Sequence, residues 1–439
     1  MNKTVCAVFA AACVATLASC ASVEHHKGPD ASFGAGDYQA ALKQTRAQKG
    51  KGYRDKDAVL FNLDVGMLSH YAGDFAESSK RLGEAERGIE AAFTRSVTQE
   101  VSSYLVNDST REYAGEDYED IYLNVFNSLN YYRAGSLDGA LVEIRRIDNK
   151  LKHLSSKYGV ATTNAQRAAL EKNRNVPYDA DAHSAKFANS ALARYLGMLF
   201  YRADGLYDDA RIDRDQIKLA FANHKHVYGF PVPSSLDEEL SVPRGMGRIN
   251  VIGFSGKGPL KTEKVDRIFL KGDKWVKIAL PVMTKRPSAV ARVDVILDDG
   301  RRFDLEVIED LAAVATETFK AKAGFIYFKT IIRSIAKTTT SMALEKSSKK
   351  TKNSDNALLL GLLSLGTQIY AEASEQADLR ISRYFPGKAH VGGFTVEPGT
   401  YSFTVRYFNG ANRLIESVRF ESVEVRPDRL SLSEAVCVK

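Results

Sequence analysis

Tyr122-Leu123-Asn124-Val125-Phe126-Asn127-Ser128-Leu129-Asn130-Tyr131-Tyr132-Arg133-Ala134-Gly135-Ser136-Leu137-Asp138-Gly139-Ala140 is the stretch on which the fold turns. Leu123, Phe126 and Leu129 recur at the step of one helical face. Gly135 then offers a turn that a residue without Cβ adopts cheaply, and Ser136 stands where it can cap the next helix. Leu137 is large enough to wedge between helices, and Ala140 is small enough to let them approach. The same shape occurs at Gly36-Asp37-Tyr38 with Ala41, at Gly73-Asp74-Phe75 with Ser78, and at Gly205-Leu206-Tyr207 with Ala210. Helically spaced apolar residues precede these corners too: Val59, Leu60, Leu63 and Met67 before Gly73, and Ala191, Tyr195, Met198 and Leu199 before Gly205. Residues 33–230 therefore read as an all-α domain of helical hairpins.

These corners resemble the tetratricopeptide repeat (TPR), whose inter-helix turn often reads Gly-Asp-Tyr followed by a small Ala. The resemblance covers roughly residues 33–225 and implies a TPR-like solenoid with a concave groove for a peptide or partner helix. Corners at 36, 73, 135 and 205 depart from a regular repeat of ~34 residues, so extra helices are inserted and the first unit lacks room for its leading helix. Asn124, Asn127 and Asn130 stand at three-residue spacing beside Tyr122, Tyr131 and Tyr132, and Glu143, Arg145 and Arg146 follow on the next helix. Asn amides bond an extended backbone, and Arg grips a carboxylate in two-pronged fashion. On that reading Asn124, Asn127, Tyr131, Glu143, Arg145 and Arg146 are a partner-binding surface; on the other they bond helix to helix.

Prolines and glycines at Pro231, Pro233, Pro243, Gly245 and Gly247 mark a linker, 231–247, after which the apolar period changes to two. Ile249 and Val251 alternate; Trp275, Lys277 and Ala279 oppose Val276, Ile278 and Leu280; Val293, Val295 and Leu297 run into Asp299-Gly300, a strong hairpin signal. Later, Pro398-Gly399-Thr400 leads into Tyr401, Phe403, Val405 and Tyr407, which meet Asn409-Gly410 and return through Val418 and Phe420. Residues 248–308 and 376–439 thus read as the two parts of a small antiparallel β-sandwich. Between them, 309–375 turns helical: Phe325, Phe328, Ile332 and Ile335 share a face, and a loop with Lys346, Lys349, Lys350 and Lys352 leads into the apolar run Ala357 to Gly366. That run is too short to span a bilayer, which needs ~20 residues, and reads either as a buried helix packing through glycines or as a self-association or membrane-touching hairpin.

The first nineteen residues carry Lys3, an apolar stretch from Val5 to Leu17, and small residues Ala18 and Ser19 before Cys20. This is a secretory signal, 1–19. Leu17-Ala18-Ser19-Cys20 resembles the bacterial lipobox, in which the Cys thiol takes a diacylglyceryl group and becomes the mature N-terminus. Lipidation at Cys20 implies stable anchoring, since each buried CH₂ contributes ~0.8 kcal/mol. Ala21 stands where an Asp would retain the protein at the inner membrane, which points to the outer membrane. Residues 20–32 read as a polar tether, in which His25 and His26 are either solvated or metal-binding. Once Cys6 and Cys13 leave with the signal and Cys20 is acylated, Cys437 is the one free thiol, and no intramolecular disulfide forms.

At 439 residues, the chain exceeds the ~150 residues of one typical domain, so two or three separately cored units are expected. A net charge of +7 from 61 basic and 54 acidic residues is too diffuse to indicate nucleic acid. No catalytic constellation emerges. Gly253-Phe254-Ser255-Gly256-Lys257-Gly258 has Lys257 where a nucleophile elbow needs a glycine, two residues after Ser255, and Gly258 where a phosphate loop needs a hydroxyl after Lys257. His224 and His226 lack a third metal ligand nearby, and Glu116, Asp117, Glu119 and Asp120 lack calcium-loop spacing and suit a helix N-terminus.

The lipobox, Tyr122 to Tyr131, Ala140 to Arg146, and Ala377-Asp378-Leu379-Arg380 ahead of Pro398-Gly399-Thr400-Tyr401 together resemble a largely uncharacterised family of bacterial tetratricopeptide-type lipoproteins. The resemblance implies a cell-envelope setting and no reaction. The expected protein is a multidomain α+β chain: a non-enzymatic, cofactor-free scaffold or adaptor that is lipid-anchored in the envelope and binds envelope proteins or peptides through a TPR-like groove. A pore or membrane-remodelling component that uses the 309–375 hairpin is the alternative.

Overall fold

The computed structural model describes residues 25–98, 108–154, 186–270, 274–320, 322–327, 329–330, 333, 376–427 and 429–439. The expected signal, Cys20 and the 334–375 part of the insert, with its lysine loop and leucine run, lie outside them. The chain is mixed α and β, with helices in the N-terminal half and a sheet in the C-terminal half.

Helices α1 (Lys27–Gly34), α2 (Tyr38–Ala47), α3 (Ala58–Tyr71), α4 (Phe75–Thr98), α5 (Asp117–Arg133), α6 (Leu137–Leu154), α7 (Ala191–Ala203) and α8 (Tyr207–Asn223) pair in sequence as hairpins. At each corner the glycine takes a left-handed φ: 81° at Gly36, 82° at Gly73, 77° at Gly135 and 77° at Gly205. A Cβ there costs about 1–2 kcal/mol. The next residue caps the second helix in three of the corners: Asp37 accepts from the Ala40 amide (2.9 Å), Asp74 from Glu77 (3.1 Å) and Ser136 from Gly139 (3.2 Å). The small residues Ala41, Ser78, Ala140 and Ala210 are fully buried where the helices touch. The wedges Tyr38, Phe75 and Leu137 are half-buried, but Tyr207 is 58 % exposed, because the chain leaves α8 for the sheet and adds no further hairpin.

Two expected spacers are packed structure. The tether of residues 20–32 gives way to α1, which buries Pro29 and Phe33, so the first unit does have a leading helix. In the linker 231–247, the 3₁₀ turn Ser234–Leu240 buries Leu236 and Glu239.

Strands β1 (Gly247–Ser255), β4 (Arg292–Leu297), β5 (Arg302–Asp310), β6 (Lys388–Val396), β7 (Gly399–Phe408), β8 (Leu414–Val425) and β9 (Ser431–Cys437) form one seven-stranded sheet in the order β8-β7-β4-β5-β6-β1-β9. All neighbours are antiparallel except β1 and β9, which run parallel. The sheet curls until its edges nearly meet, with Ser431 Oγ donating to the Glu424 carbonyl (2.8 Å). A nearly closed, barrel-like sheet therefore stands where a two-sheet antiparallel sandwich was expected. β2 (Leu260–Leu270) and β3 (Lys274–Thr284) form a separate two-stranded ribbon. The hairpin turns foreseen at Asp299-Gly300 and Asn409-Gly410 join β4 to β5 and β7 to β8.

The apolar cores do not divide where the sequence changes period. Ile249 and Val251 of β1 point into the barrel with Val293, Val295, Phe403 and Tyr407. Ile252 and Phe254, on the opposite face, join the helical core, where Phe254 lies 5.1 Å from Phe126 of α5. The insert begins as a helix, α9, over residues 311–320, 322–327, 329–330 and 333, and it too enters the helical core through Leu311, Val314, Ala315 and Phe319. The run Ala357 to Gly366, on which the buried-helix and hairpin readings turn, lies outside the described residues. Separately cored α and β units are replaced by one core shared between helices and sheet and a second inside the barrel.

Phe126→Ala opens a cavity in the shared core and is expected to cost about 3–5 kcal/mol. Denaturation followed by circular dichroism should show one transition moved as a whole; two transitions, of which only the helical one moves, would contradict the shared core.

Candidate functional site

The residues singled out for partner binding are largely consumed by contacts between helices. Asn124 and Asn127 on α5 and Glu143 on α6 are buried. The Asn124 amide donates to Glu86 of α4 (3.0 Å) and to Glu143 (2.6 Å), and its carbonyl accepts from Lys150 (2.7 Å). Lys150 also reaches Glu86 (2.7 Å) and Asp120 (2.7 Å), and Arg146 reaches Glu86 (2.6 Å) and Glu143 (3.6 Å). Burial opposes the charge on Glu86, but Lys150, Asn124 and Arg146 outweigh it and hold its carboxyl below the ordinary value. Glu143 titrates above its ordinary value because burial exceeds the help from Asn124 and Arg146. Tyr131 is half-buried against Gly139, where a Cβ would come within 2.7 Å of its ring. This cluster ties α4, α5 and α6 together, which corrects the groove reading for Asn124, Asn127 and Glu143. Of the six residues, Arg145 is the one that stays exposed without an ion pair among the described residues, its guanidinium 6.0 Å from the Tyr201 ring on α7.

A second set of buried polar groups joins the helices to the sheet. Glu309 at the end of β5 accepts from Tyr122 of α5 (2.6 Å), from Ser190 (2.8 Å) and the Leu192 amide (2.5 Å) at the start of α7, and from Tyr228 (3.3 Å). Asp64 of α3 accepts from Tyr53 (2.7 Å), Ser382 (2.7 Å) and the Arg383 amide (3.1 Å). Glu119 of α5 accepts from Tyr113 (2.7 Å) and the Ser382 amide (2.6 Å). Burial raises all three carboxyls despite these donors, Glu309 and Glu119 to about 7 and Asp64 to about 6. His70 of α3 joins Asn130 (2.7 Å) to Glu434 of β9 (2.7 Å); burial disfavours its charge, but Glu434 and Asn130 outweigh that and raise its pKa. Glu239, in the strap after α8, is gripped by Arg202 of α7 (2.7 Å) and Asn250 of β1 (2.8 Å).

Ser255, rejected from sequence as a nucleophile, does meet a histidine: its Oγ lies 2.9 Å from His390 Nε2. Both are buried, and burial, with Lys388 nearby, lowers the His390 pKa to about 3. The Ser255–His390 pair joins β1 to β6 inside the fold.

Among the described residues, a cleft of about 360 Å³ lies among α6, α7 and α8, lined by Asp148, Lys152, Asn189, Arg194, Gln216, Leu219 and His224. Arg194 clamps Asp148 (2.8 Å) and Asp213 (2.8 Å), so the three helices meet on one guanidinium. Burial lifts the Asp213 carboxyl to about 6. Gly197 lets α8 come this close, since a Cβ there would lie 2.2 Å from the Asp213 carboxylate. Burial and the neighbouring His226 lower the His224 pKa, and its Nδ1 has no hydrogen-bond partner. His226 instead faces Glu317 of α9 (3.4 Å). Among the described residues, no group of three or more His, Cys, Asp or Glu is placed to hold a metal ion, and His25 and His26 pack on Tyr53. Beside the cleft, Leu219 is 47 % and Ile212 57 % exposed on one face of α8. Arg194, Asp213 and this α8 face escaped the sequence reading because no motif joins them; three helices bring them together.

Glu309, Asp64 and Glu119 release protons later in the folded chain than in the unfolded one, whose carboxyls titrate near about 4. Stability contributed by their protonated forms is therefore present at low pH and declines as pH rises from about 4 towards 7. Glu309→Gln, which mimics the protonated acid, should flatten that decline in urea midpoints measured between pH 5 and pH 8; an unchanged slope would contradict the raised carboxyl. No protein-family model, no curated protein and no solved structure matches the chain.

Proposed function

We propose that this protein is a non-enzymatic adaptor of the bacterial cell envelope, of the tetratricopeptide-type lipoprotein kind, held at the outer membrane by acyl chains on Cys20. Its helical hairpins act as a TPR-like array, and its barrel-like sheet acts as the base to which the array is fixed. The observation that carries this reading is the combination of an acylation sequence at Leu17 to Cys20 with stacked hairpins whose last helix leaves Ile212 and Leu219 exposed beside a polar cleft. Ile212 and Leu219 stand two turns apart on one face of α8, either side of Asp215 and Gln216, and give a partner a strip of two apolar contacts with polar groups between them.

The surface offered to a partner accordingly moves from the buried Asn124 and Asn127 to the α6–α8 face. A segment of an envelope protein would lay apolar side chains on Ile212 and Leu219 and direct main-chain polar groups at Gln216, whose Oε1 already accepts from the buried Asn189 (3.2 Å). Arg145 and Val142 extend that face along α6. The Asp and Glu groups of the buried seam are capped by donors inside the fold, which favours work by contact over bond-making.

Double substitution Ile212→Glu with Leu219→Glu places charge on the strip without touching either core. Pulldown from crosslinked envelopes should lose the partner bands that the native protein recovers, while Asn127→Ala, if it folds, should keep them. Recovery of the same bands by the double variant would contradict the assignment of this face.

A further inference from the structure

Many buried or half-buried cations among the described residues are met by carboxylates. Arg202 and Arg248 share Glu239, Lys261 and Lys322 share Glu116, and Arg380 lies between Asp57 and Asp378. The region around the β1–β2 turn gathers three cations with less carboxylate. Lys257, in that turn, is half-buried, and its ammonium makes no ion pair or hydrogen bond with any described residue. It is held in place by α1: its Nζ sits 5.9 Å from the Phe33 ring and 3.1 Å from where a Cβ on Gly34 would lie. Arg286, between β3 and β4, spends its donors on carbonyls alone, with Nε on Gly258 (2.5 Å) and Nη2 on Arg383 (2.6 Å). Its Nη1 has no protein partner among the described residues. Arg383 grips Asp30 of α1 with Nε (2.9 Å) and Nη2.

The three cations are fixed by touching segments. Gly258 follows Lys257 and bonds Arg286, Arg286 bonds the Arg383 carbonyl, and the Gly258 amide donates to the Phe385 carbonyl (2.7 Å). The mutual repulsion is felt: burial, then Arg286, lowers the Lys257 pKa, and burial, then Arg383, lowers that of Arg286 to about 10. Positive charge in excess, half out of water and rigidly placed, favours a doubly liganding anion such as a phosphate oxygen pair.

We propose that Lys257, Arg286 and Arg383 form a site for the phosphate of an anionic phospholipid headgroup. The lipid source follows from the chain's path and rests on the anchored reading given above. Asp30 pairs with Arg383, its amide donates to the His26 carbonyl (2.8 Å), and Cys20 stands five positions before His25. Five extended residues reach at most about 18 Å, so acyl chains on Cys20 would keep this cluster near the lipid surface. The acyl group supplies attachment, and the cation cluster sets which side of the body faces the bilayer.

The test uses the full mature chain with Cys20→Ser, so that acyl chains do not dominate, sedimented with vesicles of phosphatidylglycerol in phosphatidylcholine or of phosphatidylcholine alone. Binding is expected only to the anionic vesicles and is expected to fall about fivefold in Lys257→Gln, the weight of one basic group at an anionic surface. Lys218→Gln, which removes an exposed lysine paired with Asp237 on α8, should leave it unchanged. Inorganic phosphate should compete more strongly than chloride at equal ionic strength. Equal loss in both variants, equal competition by the two salts, or equal binding to both vesicles would overturn the site; phosphate binding without vesicle capture would overturn the lipid as its source. The mass of the N-terminal fragment of the native protein is read separately. An unmodified thiol there would overturn the anchor, whereas normal acylation with charge-blind vesicle binding would overturn the headgroup site alone.

Discussion

Strand β1 is buried along its whole length, and that constraint governs the rest of the molecule. A strand normally offers one face to a core and one to water. Here Ile249 and Val251 fill a barrel while Ile252 and Phe254 pack on α5, so the wall of the sheet is also the floor of the helical array. Neither half can shed the other without exposing the opposite face of β1. The polar groups trapped between them then have to be satisfied internally, because an unpaired buried carboxylate or tyrosine costs about 1–3 kcal/mol or more. Glu309, Asp64, Glu119, His70 and Glu239 meet that demand, each bonded to elements distant in the chain.

This arrangement explains why the polar residues that look functional in sequence are structural. Asn124 and Glu143 have the chemistry to bind a peptide backbone, yet three closely stacked helices leave them no solvent. Once Lys150 and Arg146 neutralise Glu86 beside them, the cluster is complete within the bundle. What stays open lies at the end of the array, where α8 has no successor to cover Tyr207, Ile212 and Leu219. The proposed partner-binding role uses this end of the array.

The helical half was legible because its signals are local. The corner glycines, the caps Asp37, Asp74 and Ser136, and the small residues Ala41, Ser78, Ala140 and Ala210 lie within a few positions of one another. The β4–β5 and β7–β8 hairpins were legible for the same reason. β9 was missed: Ser431, Leu432, Ser433, Ala435 and Cys437 are buried on both faces, which erases alternation, and its parallel partner β1 is far away in sequence. β2 was missed for the opposite cause, since Thr262, Glu263, Lys264, Val265 and Asp266 are exposed on both faces. The cleft was illegible because Arg194, Asp148 and Asp213 belong to three helices, and its shape depends on Gly197, whose role appears only once α8 is in place.

The account stands on helices and sheet opening as one unit. Native-state hydrogen exchange measures this directly by comparing backbone amides of α5, such as Phe126 and Leu129, with those of β1, such as Ile252 and Phe254. The shared core predicts that both sets exchange only through the same global opening, with the same free energy and the same dependence on denaturant. Exchange of the α5 amides through a smaller opening that leaves β1 protected would show that the helical array unfolds by itself, and the account would fail.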